Sequence, residues 1–137
     1  MKALTQKNLI ELLPTYSDHV ETALLSLADT LGAWGTVEAM RYGLAEGFVQ
    51  CVNLEIEGEA SYVIFFSFDP LTKSIQFSAA ALTQKENWAL LMSGLDSIAQ
   101  KFGAKWIHFN TRRAGVVKRS AEFGYRADTI NLVKELR

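Results

Sequence analysis

Between residues 50 and 110 the hydrophobic period of this chain changes twice, and that change limits the folds open to it. Val52, Leu54 and Ile56 alternate with Asn53, Glu55 and Glu57, which predicts a half-exposed antiparallel strand. Gly58-Glu59 reads as a turn, and the β-branched and aromatic run from Ala60 to Phe68 as a second strand. Asp69-Pro70 opens another turn, after which Ser74 to Leu82 returns as a third strand. From Glu86 to Phe102 the period becomes helical. Trp88, Leu91, Met92, Leu95, Ile98, Ala99 and Phe102 form one apolar stripe, and Gly103 supplies the stop. Lys105 to Asn110 is again a strand, and because it is reached through a helical crossover it is expected to run parallel to the strand ending near Leu82. The expected fold class is therefore α+β: a mostly antiparallel sheet with one parallel strand pair and helices on both faces.

The flanking segments fit that frame. Thr5 can cap a short helix carrying Leu9, Leu12 and Leu13, which Pro14 ends. Ser17 caps a second helix with Val20, Leu24, Leu27 and Leu31 on one side, up to Gly32. Thr36 caps a third, with Val37, Met40 and Leu44 inward and its end near Gly47. A last helix from Arg112 to Phe123 is expected to turn Ala114, Val117 and Ala121 to the core and Lys118 and Arg119 to water. Gly124 ends it, and a strand over residues 129–136 closes the domain. With 137 residues, 49% of them hydrophobic, the chain reads as one domain spanning 1–137, with N-terminal helices in 1–35 and the main sheet and its helices in 36–136.

Charge narrows the partners. A formal net charge of -1 gives no general attraction to nucleic acid or anionic membranes, so nucleic acid is disfavoured as a partner. No 18-residue uncharged apolar run occurs and the N-terminus lacks a signal-type segment, so the expectation is a cytoplasmic, non-secreted protein without a membrane span. The single cysteine, Cys51, sits in an apolar strand and reads as a small buried hydrophobe. Neither histidine has a second ligand at metal spacing, and no metal site is expected.

The order of a three-strand meander, long helix, strand, short helix and terminal strand resembles the GNAT acetyltransferase superfamily. The local points of likeness are Gly103-Ala104-Lys105-Trp106-Ile107 leading to Asn110-Thr111, and Phe123-Gly124-Tyr125, similar to that family's helix ending in Gly-Phe. The segment Thr36 to Leu44, followed by a strand reaching Ile56-Glu57-Gly58-Glu59-Ala60, also resembles GNAT-like internal virion proteins of short-tailed bacteriophages. The resemblance implies an acetyl-CoA site between the parallel strands, with pyrophosphate on backbone N–H groups at the start of the long helix. It places Leu82, Lys85, Asn87, Asn110 and Arg113 along such a cofactor.

The chain departs from the family at two points. The phosphate loop would fall at Leu82 to Trp88, yet no glycine occurs between Gly58 and Gly94 to let the backbone approach a phosphate. The family's tyrosine acid would fall at Ser120, whose hydroxyl is too short and too weak an acid to serve as a phenol does. His108, alternating with Trp106 and Asn110, is the other candidate for proton transfer. The carboxylates Glu55, Glu57 and Glu59 read as solvated strand residues. Arg112, Arg113, Lys118, Arg119 and Arg126 form the densest basic group, either a solvated helix face or a surface for an acidic partner. The expectation is a GNAT-like protein with a degenerate acetyl-CoA site, needing no cofactor and acting through protein partners such as virion components. The alternative is an acetyl-CoA-dependent N-acetyltransferase with an atypical loop. No oligomeric state is legible.

Overall fold

In the computed structural model, the described residues are 2–4, 21–27, 37–55, 61–81, 87–109, 114–128, and 132, 134 and 136. A five-stranded sheet runs in chain order: β1 (Lys2–Leu4), β2 (Gln50–Glu55), β3 (Ser61–Asp69), β4 (Ser74–Ala81) and β5 (Trp106–Phe109). The first four are antiparallel neighbours, while β4 and β5 pair in parallel, Ser74 opposite Trp106 through Phe77 opposite Phe109. The meander and the parallel crossover thus form as the period changes require. β1 has no counterpart in the sequence reading, since three residues are too few to show a period of two. It pairs Leu4 with Cys51 on the outer edge of β2.

Helices cover both faces. Residues 21–27, here α1, and α2 (Val37–Glu46) lie on one side, where Ala23, Leu24, Leu27 and Leu44 pack on Cys51, Val63, Phe65 and Ala80. Arg41 and Glu21 form an exposed ion pair that joins these two helices, and solvent screening leaves such a pair little weight in stability. On the other side α3 (Trp88–Phe102) sets Leu91, Met92, Leu95, Ile98 and Ala99 against Val52, Leu54, Tyr62, Ile64, Phe66, Ile75 and Phe77. β2 and β3 are therefore buried on both faces. This corrects the half-exposed strand expected from Val52 onward at its one outward position whose burial is described: Asn53, at 4% exposure, lies on the face that α1 and α2 cover, while Ile56 and Glu57 lie outside the described residues. Phe102, expected in the apolar stripe, sits at the rim at 36% exposure and packs on Phe66 and Phe68 with centroids 5.4 Å away.

The joints that place β5 are local. The Leu71 N–H donates to Asp69 Oδ1 at 2.9 Å, and Lys73 takes a left-handed φ of 54°. The Lys73 carbonyl then accepts from the N–H groups of Lys105 (2.7 Å) and Trp106 (3.2 Å), so the β3–β4 turn fixes where β5 begins. At the other end of the crossover Gly103, at φ 69°, closes α3.

Gly43 is required by a close approach. The N–H groups of Phe48 and Val49 both donate to its carbonyl, at 2.8 and 3.0 Å, folding the chain back over the helix. A Cβ at this position would lie 2.5 Å from Val49 Cγ2 and 3.2 Å from Val49 Cβ. Gly43→Ala should cost about 1–3 kcal/mol despite the better helix propensity of alanine. Urea midpoints check this, and the added change Val49→Ala should return part of the loss.

Some expectations fall wholly or partly outside the described residues. The helix near Leu9 and the Gly58-Glu59 turn lie wholly outside them. Of the closing strand at 129–136, the described Leu132, Lys134 and Leu136 belong to no strand, and Leu132 and Leu136 are 86% and 85% exposed.

Candidate functional site

The place where the resemblance locates a cofactor phosphate, the start of α3, is built from its own side chains. Asn87 is the N-cap: in extended conformation, its Oδ1 accepts from the Leu90 N–H at 3.0 Å. The Asn87 N–H donates to the Tyr62 hydroxyl at 2.6 Å. Tyr62 is 3% exposed on β3, beside Ile64 and Phe66, and a phenol among such neighbours needs a polar partner. The first turn carries no acidic residue, because the helix begins at Trp88, two residues later than expected. Glu86, Leu82 and Lys85 lie outside the described residues.

Above this cap stands Trp88, half-buried against the α3 face of the core. The Arg119 guanidinium carbon lies 5.8 Å from the Trp88 ring centroid, a cation–π contact that bridges the start of α3 to the short helix α4 (Ala114–Ala121). Arg119, expected in a free basic patch, thus leans on an aromatic ring. Lys118 and Arg126 are exposed, whereas Asn110, Arg112 and Arg113 lie outside the described residues.

The rotation of α4 differs from the expected one. Ala114, Val117 and Ala121 face water, with Val117 46% exposed, while Val116 is half-buried and Ser120 is 2% exposed. The Ser120 hydroxyl, where the resemblance places a catalytic acid, is buried with no hydrogen-bond partner among the described residues. After Gly124, at φ 90°, the Tyr125 N–H donates back to the Ser120 carbonyl at 3.2 Å, and the Tyr125 ring meets Phe109 edge-on at 4.9 Å. Burial and, after it, the neighbouring Asp96 carboxylate push the Tyr125 phenol up to about 12, so it is neutral at physiological pH. Its hydroxyl also lacks a partner among the described residues. Tyr125 was legible only as part of Phe-Gly-Tyr; its inward turn follows from the glycine at positive φ.

His108 lies on β5, on the opposite face from Ile107 and Phe109, and is exposed. It lines an open groove of about 640 Å³ along β5 with Lys105, Trp106, Tyr125, Arg126 and Asp128. Ser120 is not among the lining residues, so the two proton-transfer candidates do not meet in that groove. The groove mixes cations with the carboxylates of Asp96 and Asp128, and no single charge dominates it. Among the described residues no group of three or more His, Cys, Asp or Glu could hold a metal ion. No described helix is long and apolar enough to cross a membrane.

No family model matches the chain, and neither the search of curated proteins nor that of solved structures gives a match.

Proposed function

We propose that this chain is a GNAT-like domain that acts through protein contacts, as a structural or interaction component of the kind found in phage virions or their assembly, and not by acetyl transfer. The observation that carries this reading is the closed start of α3. An acyl-CoA pyrophosphate there would compete with the Asn87 side chain for the Leu90 N–H and with the Tyr62 hydroxyl for the Asn87 N–H. The buried Ser120 adds to it, since a hydroxyl at 2% exposure does not reach a thiolate leaving group. Such a protein would work in the host cytoplasm or within the virion.

One observation favours the alternative, an acetyl-CoA-dependent N-acetyltransferase. β4 continues through Ala81, while its described pairing with β5 ends at Phe77 opposite Phe109. A pantetheine arm would lie beside residues 78–81 of β4, on the side away from their partner strand β3. Calorimetry with acetyl-CoA separates the two. The expected result is no binding heat even at millimolar cofactor, unchanged in Ser120→Tyr. Micromolar binding with turnover on amine substrates would sink the non-catalytic reading.

A further inference from the structure

On the face of the sheet turned away from α3, two rows of side chains run across β3, β4 and β5. Phe66, Ile75 and Phe77 belong to the core on the α3 side, with Phe68, Ile107 and Phe109 packed against it. Alternation along the strands therefore sends Ser67, Ser74, Gln76, Trp106 and His108 to the opposite face. The register sets Ser67 beside Gln76 and Gln76 beside His108, while Asp69 stands beside Ser74 and Ser74 beside Trp106. Adjacent strands lie about 4.8 Å apart, so each row is about 10 Å long. The apolar core beneath α1 and α2 takes Cys51, Val63, Phe65 and Ala80 from this face. Trp106, the largest side chain of β5, is not part of it and is 57% exposed. Ser67, Ser74 and Gln76 are half-buried and His108 is exposed.

A flat ring in water, with groups that both donate and accept on the strands beside it, suits one ligand chemistry. The C–H face of a sugar ring stacks on the indole, and its hydroxyls exchange hydrogen bonds with amide, hydroxyl and imidazole groups. The charges in the groove that Trp106 and His108 line cancel, Lys105 and Arg126 against Asp96 and Asp128, which favours a neutral occupant. Single-stranded nucleic acid requires the reverse, a basic track with successive stacking rings, and neither row contains a lysine or an arginine. We infer that this face binds a neutral saccharide, with Trp106 under a sugar ring and Gln76, between Ser67 and His108, holding its hydroxyls. The contact uses neither acetyl-CoA nor the start of α3, so it stands apart from the reading given under Proposed function.

Neutral oligosaccharides of glucose, galactose, mannose and N-acetylglucosamine, titrated into the intact protein, are the probes. At least one of them should shift the tryptophan emission with an affinity in the millimolar range, as a shallow face allows, and added salt should leave that affinity unchanged. Trp106→Ala should remove binding while leaving the circular dichroism unchanged, because the ring is exposed, and Trp106→Phe should keep part of it. Gln76→Ala should weaken binding by about 3–10-fold, the loss of a hydrogen bond to a bound hydroxyl. The matching change at an exposed leucine on α1, Leu25→Ala, should leave it intact. Absence of binding for all four sugars overturns the inference, and so does binding that survives Trp106→Ala. Oligothymidylate binding that falls steeply with salt and is lost in Trp106→Ala, with no sugar bound, overturns it as well and assigns the face to single-stranded nucleic acid.

Discussion

Phe77→Ala is expected to lower stability by about 3–5 kcal/mol, the usual loss when a fully buried phenylalanine is cut to a methyl group. Phe77 is 1% exposed and lies opposite Phe66 on β3 and Phe109 on β5. Its ring is 5.9 Å from that of Phe66, which meets Phe102 at 5.4 Å, and Phe109 meets Tyr125 at 4.9 Å. Phe77 thus stands in the middle of an aromatic file that runs from the end of α3 across three strands to the turn after α4. The cavity cannot collapse readily, because strands hold its walls on both sides. Urea unfolding should show a lower midpoint at an unchanged slope, with a thermal midpoint lower by on the order of 10 °C. Phe102→Ala, at the exposed end of the same file, should cost clearly less. Equal losses for the two variants would show that the file is not centred on Phe77.

The second large effect is a loss of stability in alkali that traces to one thiol. Burial pushes Cys51 from its ordinary 9.0 up to about 12. Below pH 9 the thiol is protonated in folded and unfolded chains alike, and its contribution is fully present. As pH rises toward 12 the unfolded chain ionises while the folded one does not, so stability falls by about 1.4 kcal/mol per pH unit, on the order of 4 kcal/mol in all. Tyr125, also raised to about 12, adds a further fall that begins above its ordinary 10.0. Urea midpoints followed from neutral pH into the alkaline range should decline from about pH 9. In Cys51→Ala the decline should start later and be shallower. Parallel profiles for the two proteins would show that Cys51 is not the titrating group.

Much of the fold is legible from residues near one another in sequence. The alternation at Val52 and Leu54, the run from Tyr62 to Phe68 and the stripe from Leu91 to Ala99 each announce an element, and a strand reached through a helix is constrained to run parallel. The short elements are not legible in this way. β1 is three residues long. α4 has eight residues, and Ala114, Val117 and Ala121 are spaced as an inner face would be, yet the helix turns Val116 and Ser120 inward. Two turns carry too little apolar material to fix a rotation. The return of the Tyr125 N–H to the Ser120 carbonyl and the seating of Tyr125 on Phe109 accompany the observed one. Asn53 illustrates a related limit: alternation marks a polar residue as outward, but a second helical layer covers that face as well.

The candidate site divides along the same line. The missing glycines between Gly58 and Gly94 and the serine at 120 are visible in the sequence, because a phosphate cradle and a phenolic acid each need a particular residue type at a particular place. What fills the start of α3 is not visible there. The Tyr62 hydroxyl meets the Asn87 N–H across 25 positions, and Arg119 reaches Trp88 from another helix. By itself the sequence determined the kind and order of the long elements, because hydrophobic period follows from local backbone geometry. The tertiary structure alone decided which side chains close the helix start and how α4 is turned, since each depends on contacts between segments far apart in the chain.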